Sequence, residues 1–243
     1  MNTYLLIALI VLGVVIGIPL LFILTLLISS LFISKKKEYS KPSKFYTFMM
    51  LTAHKFVSWF SGARIKVSGL EKLPKGRFLM VSNHRSNFDP IITYTVLGKY
   101  GLAFISKEAN FKIPFVGRLI TRLCYLPINR EDPRKAITAI NKSAGLIKSD
   151  AVSMLVYPEG TRSKTCELLP FHDAVFKIAQ KAQVPVVVIT VKNTEKIRSR
   201  FFFRKTIIEL DILETFPVDF VKENKTVVLG ERAKELMLNN LGK

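Results

Sequence analysis

The hydrophobic pattern separates an apolar beginning of the chain from a longer remainder in which apolar and polar stretches alternate. Residues 4–34 carry no charged side chain, and this run exceeds the roughly 20 residues that cross a bilayer core. One unbroken helix of that length would measure about 46 Å, against a hydrocarbon core of about 30 Å. The pattern therefore predicts an N-terminal membrane helix that projects into the interface, or a helical hairpin bent near Gly17 and Pro19.

Beyond this segment, short apolar runs rich in Val, Ile, Leu and Phe alternate with stretches of helical length. The apolar runs predict strands over 65–68, 78–82, 102–106, 123–128, 152–157, 185–191 and 206–213. The intervening segments predict helices over 90–99, 113–122, 134–149 and 171–182, with a C-terminal helix over 226–240. Alternation of this kind predicts an α/β fold in which a mixed, mostly buried sheet is flanked by helices.

Between the two parts lies a basic and aromatic segment, residues 35–62. Three lysines at 35–37 follow the apolar run directly, and the positive-inside tendency then places everything downstream in the cytoplasm. Residues 45–60 predict a helix rich in aromatic side chains, which either lies in the membrane interface or packs on the globular core. Three units are thus expected: a membrane anchor over 1–34, an interfacial segment over 35–62 and one globular domain over 63–243.

The formal net charge of +19 resides entirely downstream of residue 34. Anionic lipid headgroups attract such a surface, with about 1 kcal/mol for each basic residue near the membrane. Nucleic acid is not the expected partner, because the basic residues are dispersed and match no recognition module. The two cysteines, Cys124 and Cys166, are expected to be reduced thiols. With no metal-ligand cluster and no glycine-rich nucleotide loop in the sequence, we predict neither a metal nor a bound cofactor.

The first chemical motif is Asn-His-Arg-Ser-Asn-Phe-Asp-Pro at residues 83–90. His84 and Asp89 can meet only across a turn, and a short strand before them and Pro90 after them favour one. With Asp89 on one ring nitrogen, the other nitrogen of His84 is free to take a proton from a hydroxyl group. In the alternative interpretation, Asp89 only caps the helix that begins at Pro90, or pairs with Ser86 in a capping box, and His84 is an ordinary loop residue.

The second motif is Tyr-Pro-Glu-Gly-Thr-Arg-Ser at residues 157–163. Arg162 offers a planar fork of donors that matches phosphate oxygens, and Gly160 allows a tight turn beside a ligand. Glu159 is of a type that could position Arg162 or hydrogen-bond a substrate. The motif also fits a turn that ends a buried strand, and both interpretations can hold at once.

Together, these motifs are similar to the first and third conserved blocks of the glycerolipid acyltransferase family. Residues 104–117, followed by 125–130, resemble the second block, and residues 184–191 resemble the fourth. The four blocks occur in the family's order and cover roughly residues 65–195. The resemblance implies a glycerol-3-phosphate acyltransferase-like fold for the predicted catalytic domain.

The resemblance also implies transfer of a fatty acyl group from acyl-CoA or acyl carrier protein to the sn-2 hydroxyl of 1-acylglycerol 3-phosphate (lysophosphatidic acid), giving phosphatidic acid in phospholipid biosynthesis. His84 would be the general base and Asp89 its partner. The implied phosphate-binding residues are Lys107, Arg162, Glu159, Gly160, Thr161 and Arg130. The domain would work on the cytoplasmic face of a bacterial inner membrane, or of the endoplasmic reticulum in a eukaryote.

Two other functions stay open at the level of the sequence. The same chemistry could serve glycerol 3-phosphate or another lysophospholipid as acceptor. More distantly, the chain could be a non-catalytic membrane protein that binds anionic lipids. The sequence predicts no oligomeric state.

Overall fold

A seven-stranded sheet organises the computed structural model, which describes residues 2–129, 132–197 and 205–242. The strands are β1 (Ala63–Ser68), β2 (Leu79–Ser82), β3 (Leu102–Lys107), β4 (Leu126–Ile128), β5 (Ser153–Val156), β6 (Val186–Lys192) and β7 (Thr206–Phe216). The helices are α1 (Thr3–Leu31), α2 (Lys44–Phe60), α3 (Phe88–Leu97), α4 (Glu108–Lys112), α5 (Val116–Arg122), α6 (Pro133–Lys148), α7 (Lys177–Ala182), α8 (Val218–Glu223) and α9 (Thr226–Leu241).

The strands lie in the order β1-β7-β6-β2-β5-β3-β4. All neighbours are parallel except β6 and β7, so the sheet is mixed. The central strand β2 runs through Leu79, Met80 and Val81, each without solvent exposure. Strands buried on both faces read as continuous apolar runs, and for this reason the sequence pattern located them. The predicted α/β fold class is confirmed.

Helices cover both faces of the sheet and create two cores. On one face, α6, α7 and α9 contribute Ile140, Ile178 and Met237 to a cluster that includes Val81. On the other face, α3 contributes Ile92 and Tyr94 to a cluster with Met80 and Phe104. The sheet is therefore rigid at its centre, where the strand ends hold the site described below.

Helix boundaries depart from the predicted ones where the chain turns within a predicted helix. The helix expected over 113–122 begins at Val116, since Phe115 adopts φ 59° and breaks the helical path after Pro114. The helix expected over 171–182 is split into a 3₁₀ turn, Asp173–Phe176, and α7. Helices α4 and α8 have no counterpart among the predicted helices; with 5 and 6 residues they are too short to show a helical repeat.

Helix α1 is a single rod of 29 residues that continues through Pro19. The alternative of a helical hairpin is wrong, because the proline does not reverse the chain. At about 1.5 Å per residue the helix is roughly 43 Å long. Among the described residues it is the one helix long and apolar enough to cross a membrane.

The carboxyl end of α1 is tied to the globular domain by its own carbonyl groups. Arg118 donates to the carbonyl oxygens of Leu31 and Ile33, at 2.9 and 3.0 Å, and the Tyr46 hydroxyl donates to that of Ser29 at 2.8 Å. Cationic and hydroxyl donors here bind carbonyl groups at the end of the helix, where the regular helical hydrogen bonds stop. Helix α1 therefore has a fixed attachment to α2 and α5.

Helix α2 packs on the globular core with one face and leaves its other face exposed. Its inner face packs on α3, where the Ser58 and Thr95 hydroxyls lie 2.9 Å apart and share a hydrogen bond. Its outer face exposes large apolar side chains, with Phe48 at 66% and Trp59 at 73% exposure. Packing on the core thus leaves an aromatic surface uncovered.

Candidate active site

The first motif follows the central strand β2, and Asn83 fixes the path of the chain there. The Asn83 side-chain amide donates to the carbonyl of Val191 at 3.0 Å, and its oxygen accepts from the Val191 N–H at 2.8 Å. These paired bonds mimic a further step of the ladder between β2 and β6. The buried asparagine therefore holds His84 at the carboxyl end of β2.

His84 and Asp89 form the predicted pair. Nδ1 of His84 lies 2.8 Å from Oδ2 of Asp89, whose carboxylate is fully buried. The same oxygen accepts from the backbone N–H groups of Arg85 and Ser86, at 2.6 and 2.7 Å. Because the carboxylate accepts a hydrogen bond from Nδ1, the network assigns the lone pair to Nε2. Asp89 thus both orients the ring and shapes the turn before α3. That helix begins at Phe88 rather than at Pro90, so Asp89 lies within its first turn and bonds back to the residues before it.

The other carboxylate oxygen of Asp89 has a partner that comes from a distant part of the chain. The buried Thr194 hydroxyl donates to Oδ1 of Asp89. Thr194 lies just beyond β6, next to β2 in the sheet. With Oδ1 engaged, the carboxylate is held in the plane that presents Oδ2 to His84.

The imidazole of His84 also stacks on the ring of Tyr157. Their ring centroids lie 4.0 Å apart and their planes are inclined by 15°. Burial, with a smaller effect from the Asp89 carboxylate, holds the pKa of the Tyr157 phenol well above its usual value. The phenol is therefore neutral, and an aromatic face at this distance favours a positively charged imidazole.

Glu159, from the second motif, forms hydrogen bonds that connect it to the first motif. The residue is 3% exposed; one carboxylate oxygen accepts from the backbone N–H of His84 at 2.6 Å and the other from that of Leu169 at 3.0 Å. Burial raises the pKa of Glu159, while these two hydrogen bonds and the cations nearby lower it. The structure favours a positioning role for Glu159 over the predicted phosphate contact, because its oxygens are committed to the main chain and would repel an anion.

A second link joins the motifs through the main chain. The Ser163 N–H donates to the carbonyl of His84 at 2.9 Å, and the Gly160 N–H closes a turn onto Tyr157 at 3.0 Å. Gly160 has φ 75°, a left-handed conformation that glycine adopts without strain. It is buried and shapes the loop that carries Thr161 and Arg162.

His84 faces a cleft of about 980 Å³. Lys107, Thr161 and Arg162 line the same cleft, so four of the predicted site residues share one space. Its apolar wall includes Met50, Ile91, Phe104, Ile113, Val116 and Ile128. Arg130 lies outside the described residues, and its predicted contact stays a prediction.

This cleft combines three chemical elements. An imidazole with a free Nε2 can accept a proton, cationic side chains can bind an anion, and an apolar wall can hold a hydrocarbon chain. Sequence reasoning assigns roles to His84, Asp89 and the cations. The sequence predicts no role for Tyr157, Asn83 or Thr194. Tyr157 and Asn83 lie within the two motifs, whereas Thr194 follows the fourth block and has no local sequence signal.

The sequence profile of a family described as acyltransferase matches residues 64–192, which is more than half of the chain. The chain therefore belongs to the acyltransferase family. Among its relatives, a chloroplastic 1-acyl-sn-glycerol-3-phosphate acyltransferase of Brassica napus is 37% identical over 172 residues, or 61% of this chain and 49% of the relative. The 1-acyl-sn-glycerol-3-phosphate acyltransferase of Borreliella burgdorferi is 29% identical over 198 residues, or 76% of each chain.

A solved structure shares the fold. The 1-acyl-sn-glycerophosphate acyltransferase PlsC of Thermotoga maritima superposes with a TM-score of 0.69 at 23% identity, covering 89% of this chain and 86% of that one. The chain spans about half the length of the first curated relatives that it matches, with shares of 49%, 60% and 39%.

Proposed function

We propose that this protein transfers a fatty acyl group from an acyl thioester to the sn-2 hydroxyl of 1-acylglycerol 3-phosphate and so forms phosphatidic acid. The observation that carries the proposal is the shared cleft, in which His84, already bonded to Asp89, faces the same space as Lys107 and Arg162. The names of the relatives support this acceptor.

In the proposed reaction, Nε2 of His84 takes the proton of the acceptor hydroxyl as its oxygen attacks the thioester carbonyl carbon. Collapse of the tetrahedral intermediate breaks the carbon–sulfur bond, and the imidazolium returns its proton to the departing thiolate. Asp89 and the Tyr157 ring stabilise the imidazolium in between. The enzyme supplies no nucleophile of its own, and the steps balance without a metal or a prosthetic group.

Lys107 and Arg162 would bind the acceptor's phosphate. Arg162 can hold two phosphate oxygens with its planar fork, and Lys107 adds a compact positive charge. A phosphate fixed at these residues limits the positions of the hydroxyl group on the same small molecule. Binding energy at the phosphate is thereby used for orientation at His84.

We propose further that α1 anchors the protein in a membrane with the catalytic domain on the cytoplasmic face. Lys35, Lys36 and Lys37 follow α1, as the positive-inside tendency requires of a cytoplasmic flank. The exposed aromatic face of α2 would lie in the headgroup region of the same leaflet. A lipid acceptor could then enter the cleft from the bilayer, since Met50 of α2 lines it.

The test is an acyl-transfer assay with purified full-length protein. Lysophosphatidic acid, glycerol 3-phosphate and lysophosphatidylcholine are each offered with acyl-CoA and with acyl carrier protein as donors. We expect phosphatidic acid as the main product. A preference for glycerol 3-phosphate would reassign the acceptor, and no transfer with any pair would favour a lipid-binding protein without catalysis.

A further inference from the structure

A second cleft of about 820 Å³ lies beside the active-site cleft. Its walls come from α4, the end of α5, β4, α6 and the linker 35–40 that follows the anchor helix. Among the described residues, Glu108, Lys112, Tyr125 and Asn129 line both clefts. The two spaces are therefore neighbours with a common wall.

The second cleft is strongly basic. Six lysines and two glutamates line it among the described residues. The lysines stand on three sides: on the linker (Lys35, Lys36, Lys37), on α4 (Lys112) and on α6 (Lys135, Lys142). Positive charge that converges from several elements suits a ligand with more than one phosphate group.

Apolar and aromatic side chains also line this cleft. Phe111, Tyr125, Leu126, Pro127 and Leu146 lie among the lining residues. Tyr39 adds an aromatic ring from the linker, with the Arg122 guanidinium 4.6 Å from its centroid. Cations and apolar or aromatic side chains in one cleft are the combination that a phosphorylated nucleotide requires.

The linker over the cleft is held in place by contacts to α5 and the residues that follow it. Arg122 donates to the carbonyl of Lys41 at 2.9 Å, and the Cys124 thiol donates to that of Tyr39 at 3.3 Å. Burial raises the pKa of the Cys124 thiol to about 11, so it stays protonated and keeps this donor. Lys142 forms an ion pair with Glu38 across the cleft. The linker lysines are thus part of a built wall.

From this arrangement we infer that the second cleft binds the phosphorylated adenosine head of an acyl-CoA, while the thioester reaches His84 past the common wall. The inference rests on the proposed acyl transfer and names the donor. It competes with two other uses of the same cations, which are binding of an anionic lipid headgroup and docking of an acidic carrier protein.

The test measures binding of adenosine 3′,5′-bisphosphate to full-length protein in detergent by calorimetry. This probe has the phosphates and the ring of the head but no thioester and no acyl chain. The double variant Lys36→Gln/Lys135→Gln removes one charge from the linker and one from α6. We expect its Kd to rise about five- to tenfold, as the loss of two partly exposed phosphate contacts predicts.

The matched control is Lys41→Gln/Lys148→Gln, which removes one lysine that follows the linker and one from α6, both outside the cleft. We expect its Kd to stay within about twofold of the wild type. In steady-state acyl-transfer assays, Lys36→Gln/Lys135→Gln should raise the KM for acyl-CoA by a similar factor and leave the KM for lysophosphatidic acid unchanged. All four lysines are exposed, so folding should be retained in both variants.

Equal nucleotide affinity in the two double variants, or no binding by the wild type, would overturn the inference. The inference would also be overturned if Lys36→Gln/Lys135→Gln kept its nucleotide affinity but bound less well to vesicles that contain phosphatidylglycerol, compared with vesicles of phosphatidylcholine alone. That result would assign the cleft to lipid headgroups. Turnover with acyl carrier protein alone would also overturn it. Lysine-dependent nucleotide binding without acyl transfer to any acceptor would instead contradict the proposed function and leave the cleft assignment standing.

Discussion

Thr194 donates its hydroxyl hydrogen to Oδ1 of Asp89, across 105 positions of the chain. Both side chains have no solvent exposure, and Oδ2 of the same carboxylate bonds to Nδ1 of His84. The threonine therefore acts on the imidazole through Asp89. It is a positioning residue for the proposed base.

Replacement of Thr194 by valine should lower kcat about tenfold. The change keeps the shape of the side chain but leaves a buried carboxylate oxygen without its donor, which costs about 1–3 kcal/mol. Thr194→Ser restores the hydroxyl and should return kcat to within about threefold of the wild type. Steady-state kinetics of the three proteins check this, and a serine variant as slow as the valine variant would show that the hydroxyl has no positioning role.

The stacking of His84 on Tyr157 makes a second prediction. Tyr157→Phe keeps the aromatic face and should leave kcat within about twofold. Tyr157→Leu removes the face and should lower kcat about five- to tenfold, since an aromatic contact with a cation contributes about 0.5–2 kcal/mol. Steady-state kinetics of the three proteins check this, and a leucine variant as fast as the phenylalanine variant would contradict the role of the ring face.

How far the sequence predicts this site depends on how local each contact is. His84 and Asp89 lie within one motif, so their pairing can be predicted from the turn that joins them. The contact of Thr194 with Asp89 cannot, because it requires β6 to lie beside β2 in the sheet. For Glu159 the sequence allows either a positioning role or a substrate contact, because it does not show that the carboxylate is buried against the main chain.

The fold is more predictable than the site, and for a physical reason. The central strands are buried on both faces and form continuous apolar runs, and each of the seven predicted strands has its counterpart in the sheet. The break between α4 and α5 has no such signal. It depends on Gly117, where a Cβ atom would lie 2.1 Å from the carbonyl oxygen of Phe111, and on the turn at Phe115.

Glu159→Gln tests the link between the two motifs. Glutamine has one carbonyl oxygen, so the two oxygen acceptors that serve the N–H groups of His84 and Leu169 are reduced to one. We expect the free energy of unfolding to fall by about 1–3 kcal/mol at neutral pH, measured by denaturant unfolding. Glu223→Gln is the control, because Glu223 is exposed at the end of α8, and its expected change is within about 0.5 kcal/mol.

The same variant has a pH dependence with a defined sign. Burial raises the pKa of Glu159 in the folded protein, so the folded state binds this proton more readily than the unfolded chain. The titration of Glu159 then contributes stability below the unfolded pKa, and this contribution is lost as the pH rises through the folded value. Denaturant unfolding at several pH values should show the gap between wild type and Glu159→Gln narrowing with rising pH, and a widening gap would refute the sign.

Arg162→Lys keeps the charge and removes the planar fork. We expect the KM for lysophosphatidic acid to rise about tenfold, while the KM for the thioester stays within about twofold. Arg134→Lys is a matched control, because Arg134 is exposed on α6 and lines neither cleft among the described residues. Equal effects of Arg162→Lys on both substrates would remove the phosphate assignment.

The most direct test of the central claim is the rate of acyl transfer by His84→Ala, measured with lysophosphatidic acid and acyl-CoA in the same membranes as the wild type. Loss of the base predicts a fall in kcat of about 10²–10⁴, with membrane association unchanged. His172→Ala removes an exposed histidine outside the cleft and should keep full activity. Wild-type turnover by His84→Ala would contradict the assignment of this imidazole as the base.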